Sequence, residues 1–167
     1  MIRSFLSALL CSFFLSLPVS AAEDFFTSDS YWNGKKAYDK GDFASAMTHW
    51  KAAAERGLGE AQYFVGAMYH AGQAGPKDYK LAMEWYMKAA LQDIDIAQIG
   101  LGGMYADGHG VDKDFITARM WFSLAEINGN ERAHQYLKRI DTRMTAEEIT
   151  KAEKMAVDWL NTHKVKK

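Results

Sequence analysis

The chain holds a single cysteine, Cys11, among 167 residues, which excludes a disulfide framework and any multi-thiolate metal site. Neither sign of charge is in excess: 20 basic and 21 acidic side chains leave a net charge of −1. A chain so balanced lacks the basic footprint that grips phosphates, so no nucleic-acid partner is expected. Asn33, Asn128, Asn130 and Asn161 all fail the Asn-x-Ser/Thr pattern, so no N-glycosylation acceptor is present. Proline is nearly absent, with two residues, which leaves long stretches free to run as helix. What is present is apolar bulk, 49% hydrophobic and 13% aromatic, enough to bury the core of one domain.

Long apolar runs are also missing, with one exception. Arg3 is followed by the thirteen-residue stretch Phe5 to Leu17, then Pro18 and the small residues Val19, Ser20, Ala21 and Ala22. That stretch falls short of the roughly 20 residues needed to span a bilayer, and its flanks fit an export signal cut after Ala21 or Ala22. Residues 1–21 are therefore expected to be removed. Cys11 leaves with them, as does Arg3, and the remainder carries 19 basic and 21 acidic groups, net −2. The expected product is a cysteine-free periplasmic or secreted protein without an integral membrane segment.

The rest of the chain repeats with a period of 36. Residues 54–89 laid on 90–125 without a gap give twelve identities, among them Ala61/Ala97, Gln62/Gln98, Gly66/Gly102, Tyr69/Tyr105, Asp78/Asp114 and Trp85/Trp121. The second half of the unit recurs earlier at Asp42, Phe43, Ala46, Trp50 and Ala53, and its first half recurs later at Ala133 and Leu137. Periods of this length are the signature of stacked helical units.

Each unit predicts two helices. Ala61, Val65, Met68 and Tyr69 share one helical stripe, which a glycine-bearing loop ends. Asp78 and Asp114 then stand where an N-cap belongs, since a carboxylate there accepts from the free amides of the next turn. Tyr79, Ala82, Trp85, Tyr86 and Ala89 continue at helical spacing. Thr145 and Glu148 have the spacing of a capping box, followed by an apolar stripe through Ala152, Ala156 and Trp159 that predicts a terminal helix. The expected fold is all-α, a solenoid of antiparallel helix pairs with about eight helices and a C-terminal capping helix. Its expected divisions are an N-terminal helix pair over 22–53, full units over 54–89 and 90–125, a partial unit and cap over 126–163, and a basic tail over 164–167.

The run from Ala61 to Tyr69, the loop to Lys77-Asp78-Tyr79, and Ala82 through Ala90 together resemble the Sel1-like repeat family, a relative of the tetratricopeptide repeats. The loop Gly108-His109-Gly110-Val111 keeps the family pattern, whereas Gly72-Gln73-Ala74-Gly75-Pro76 departs from it. The resemblance implies a module that holds other proteins, here in a bacterial envelope.

No catalytic constellation is visible. His49, His70, His109, His134 and His163 include no i, i+4 pair that would present a metal, and nucleophile-elbow, phosphate-loop and dinucleotide patterns are all missing. Asp107, His109, Asp112 and Asp114 crowd one loop, where an N-cap in a solvated turn accounts for them better than a cation site. No enzyme activity, cofactor or metal is therefore expected. The expected role is an adaptor, scaffold or regulator that binds a peptide or domain on its concave face through Gln62, Phe64, His70 and Gln98. Phe64 stands out because the next unit has Gly100 in its place. The alternative function is an enzyme or accessory factor acting on peptidoglycan.

Overall fold

The computed structural model describes residues 19–163. Among them are eight helices and no strand: α1 (Val19–Asp39), α2 (Phe43–Glu55), α3 (Gly59–Ala71), α4 (Tyr79–Ala90), α5 (Asp95–Asp107), α6 (Phe115–Ile127), α7 (Ala133–Asp141) and α8 (Ala146–His163). The proposed export signal lies outside the described residues as far as residue 18, while Ala21 and Ala22 fall inside α1. The tail 164–167 also lies outside them. No helix among the described residues is long and apolar enough to cross a membrane.

The helices pack as antiparallel neighbours, α1 with α2, α3 with α4 and α5 with α6, and each pair stacks on the next through α2 on α3 and α4 on α5. Alanine makes this possible. Ala46, Ala82 and Ala118 are fully buried in register, as are Ala53, Ala89 and Ala125, and Ala61, Ala97 and Ala133. A methyl group at a crossing lets helix axes approach closely, so the ridges of one helix enter the grooves of the other.

Large rings fill the space beside these crossings, and glycine receives them. Trp50, Tyr86 and Phe122, equivalent residues of the second helices, each press on a glycine of the paired first helix, Gly34, Gly66 and Gly102. A methyl at Gly66 would stand 2.8 Å from the Tyr86 ring, well inside the ~3.5 Å of a relaxed carbon contact.

The caps follow the sequence pattern. Asp42 accepts from the Ser45 amide at 3.0 Å, Asp78 from Leu81 at 2.9 Å, and Asp114 from Ile116 and Thr117 at 2.9 and 3.1 Å. Gly72 and Gly108 end α3 and α5 with φ of 71° and 75°, a left-handed turn that costs a residue with a side chain more. The two long loops also rejoin alike, with the backbone amides of Asp78 and Asp114 donating to the carbonyls of Tyr69 and Tyr105. Between those points they diverge, because the positive φ falls at Gly75 in one loop and one register position earlier, at Gly110, in the other.

The C-terminal end departs from simple pairing. Helix α8 lies back across α6, which also carries α7. Trp159 meets Trp121 edge-on at 4.7 Å, and Ala152 and Ala156 are buried. The Thr145 amide donates to Glu148 and the Glu148 amide to Thr145 Oγ1, at 2.8 and 3.3 Å, so the capping box closes. Arg119 on α6 ties both neighbours down: its Nε donates to Asp141 at 2.7 Å and its Nη2 to Glu153 at 3.2 Å. Its buried Nη1 has no partner.

Candidate protein-binding groove

The first helices α3, α5 and α7 carry one slot in register, at Phe64, Gly100 and Tyr136. At two of the three, an aromatic ring lies on the ring of the preceding second helix. Phe64 stacks on Trp50 with centroids 4.4 Å apart and planes 13° from parallel, and Tyr136 stacks on Phe122 at 5.1 Å and 19°. The middle slot has no ring, since Gly100 sits there against Tyr86. Beside it opens a recess of about 500 Å³, whose walls include Tyr86, Gly100, Gly103, Phe122, Tyr136 and Arg139.

Gly103 widens the recess, because the space where its side chain would project is empty. Arg139 holds its guanidinium 5.7 Å from the Tyr136 ring centre, and Arg143, also in the wall, sits 5.7 Å from that of Phe115. Neither arginine has an ion-pair partner among the described residues. Asp107 is the carboxylate of the wall.

His70 also reaches the recess, at the seam between two units. Its Nε2 lies 3.4 Å from His109 Nδ1, and the His109 ring stacks flat on Tyr79 at 4.4 Å. The preceding seam is bridged by the equivalent pair, with Gln73 Nε2 donating to the Tyr38 hydroxyl at 2.9 Å. The histidines thus stand where the preceding seam uses a neutral hydrogen bond. Burial lowers the His70 pKa from its ordinary value, His109 and Lys77 lower it further, and Asp107 opposes them.

The four residues expected to meet a partner are not brought together. Gln62 and Gln98 are buried, which corrects their expected place on an open face. Gln62 Nε2 donates to the Ala54 carbonyl at 3.1 Å while its Oε1 accepts from Gln92 at 2.8 Å. Gln98 repeats this with the Ala90 carbonyl at 3.4 Å and Asn128 at 3.0 Å. A buried amide must find partners, and here each one fastens a unit to its neighbours. Phe64 is half-buried on Trp50, so its ring serves packing. Of the four, His70 alone lines the recess. Sequence reasoning missed Arg139, Arg143 and Tyr136, although Tyr136 stands 36 residues after Gly100 and the period was enough to find it.

Among the described residues no group of three or more His, Cys, Asp or Glu side chains is placed to hold a metal ion. Asp114 is engaged at the cap, where its second oxygen also accepts from the Thr117 hydroxyl at 2.6 Å.

A stack of antiparallel helix pairs with small residues at its crossings and a recess on the first-helix face defines a helical-repeat solenoid. The Sel1 repeat model matches residues 25–58, 59–94 and 95–130, and the chain belongs to the Sel1 repeat family. The matched units begin with the first helix of each pair, five residues after the divisions expected at 54 and 90. No curated protein matches the sequence. Among solved structures, a Sel1 repeat protein from Oxalobacter formigenes is 34% identical with a TM-score of 0.62, over 72% of this chain and 94% of that one. A protective antigen of uropathogenic Escherichia coli strains displaying an SLR fold is 23% identical with a TM-score of 0.78, a likeness of fold. The match covers 87% of this chain and 34% of the antigen, so this chain spans about a third of that protein's length.

Proposed function

We propose that this chain is an exported adaptor that holds a segment of another envelope protein in the recess between α5 and α7. Membership in the Sel1 repeat family points to a protein–protein interaction module. Sel1 repeat proteins are typically non-enzymatic, and the recess gathers no nucleophile with a base beside it. The observation that carries the reading is the recess itself, about 500 Å³ with aromatic rings in its walls and two arginines without ion-pair partners among the described residues. An apolar hollow with a few polar groups at its edge suits a side chain from a partner better than a flat contact does. Export rests on Arg3, the Phe5 to Leu17 run and the small residues after Pro18.

Site-specific photocrosslinking in cells tests the site. A crosslinker at position 99 or 103 should capture the same protein, and one at the exposed Glu84 on α4 should not. Equal capture from all three, or none from the first two, would remove the recess as the binding site. The N-terminal sequence of the purified protein tests export, and should begin at Ala22 or Glu23.

A further inference from the structure

The recess has the outline of a missing part. The units on either side place a ring at this slot, Phe64 in one and Tyr136 in the other, and each ring lies against the aromatic residue of the unit before it. In the middle unit Gly100 removes that ring and lies close against Tyr86, Tyr63 from α3 stacks on Tyr86 at 5.7 Å and 27°, and a hollow stands beside them. The slot therefore lacks a planar apolar group that the architecture accommodates twice within the same chain.

The polar groups at this slot are also incomplete. Tyr86 is 5% exposed and lines the recess, and among the described residues no hydrogen bond to its hydroxyl is found. Burial raises the phenol above its ordinary pKa, so it stays a neutral donor. Arg139, near the end of α7, and Arg143, just beyond it, border the same hollow without ion-pair partners among the described residues. Each is held near a ring face, where a guanidinium keeps its outward donors free for a carboxylate. Asp107 and His70 also line the hollow, and Asp107 acts on His70, so two arginine charges exceed one carboxylate there.

We propose that the Gly100 slot takes an aromatic side chain from the partner segment, stacked beside Tyr86 and Tyr136, while Arg139 and Arg143 bind an acidic side chain next to it. This rests on the adaptor reading above and names the chemistry of the segment. Its occupant is an extended stretch of another protein in which Phe, Tyr or Trp stands beside Asp or Glu.

Titration calorimetry with the full chain and capped synthetic hexapeptides tests it. A peptide with Phe followed by two Glu should bind, and replacing Phe with Ala, or both Glu with Lys, should weaken binding about tenfold or more, the scale of one stacked ring or one charge-assisted contact. Gly100→Phe should close the slot and abolish binding with helical content kept. Should that variant fail to fold, Arg139→Gln with Arg143→Gln serves in its place, and is expected to erase the preference for Glu over Lys. Equal affinity across the peptides, or none for any of them while positions 99 and 103 still crosslink a partner, would overturn this assignment and leave the adaptor reading standing. Loss of both peptide binding and crosslinking would sink the two together.

Discussion

The ring of Phe64 lies on the ring of Trp50, centroids 4.4 Å apart and planes 13° from parallel. The contact joins the first helix of one unit to the second helix of the unit before it, and Tyr136 repeats it on Phe122 two periods later. Phe64→Ala should remove the stack and part of the buried ring area, costing about 2 kcal/mol. Urea denaturation checks this. Peptide affinity at the Gly100 slot should stay the same, because Phe64 does not line the recess.

Two adjacent glycines should respond with opposite signs. Gly102 lies directly under the Phe122 ring, whereas Gly103 faces open space. Gly102→Ala forces the ring off its seat and should destabilise the fold by about 1–3 kcal/mol. Gly103→Ala adds only helix propensity and should stabilise it by about 0.5–1 kcal/mol. Thermal melts of the two variants read the difference directly.

The buried amide of Gln98 bonds both the Ala90 carbonyl and Asn128. Gln98→Leu keeps the bulk and leaves those two groups without a partner, at a cost of about 1–3 kcal/mol. Gln62→Leu should behave alike, since Ala54 and Gln92 stand in the same relation to it. A denaturation midpoint near wild type for both would show that the amides do not fasten the units.

Stability should fall in mild acid through His70. Burial, His109 and Lys77 hold its folded pKa below the ordinary 6.5 while Asp107 pulls the other way, and Tyr79 packs against its ring without charge. The unfolded chain therefore takes up the proton first as pH drops. His70 imposes no penalty above about pH 7.5, and stability is lost as pH falls through 6.5 toward the folded value. The denaturation midpoint should decline as pH falls from about 7.5 through 6.5, and His70→Gln should flatten that decline.

Much of the fold was legible because the 36-residue period brings small, aromatic and capping residues back to equivalent places. Asp78 and Asp114 could be read as caps, and Thr145 and Glu148 as a box, because caps are local. Gln62 and Gln98 misled because they share a helical face, and a period alone does not say whether that face looks inward. Arg119 reaches partners 22 and 34 residues away, so the docking of α8 on α6 had no local signature. The recess was half visible: the change from Phe64 to Gly100 stood in the sequence, but its meaning depends on Tyr86 filling the floor and on Tyr136 restoring the ring.

The most direct test is the sequence of the peptide captured by a photocrosslinker at position 103, read by mass spectrometry. An aromatic residue within two positions of an Asp or Glu in that peptide, with capture lost in the Gly100→Phe background, is the predicted result. A captured segment without that pairing, or one still captured when Gly100 is filled, would contradict the account.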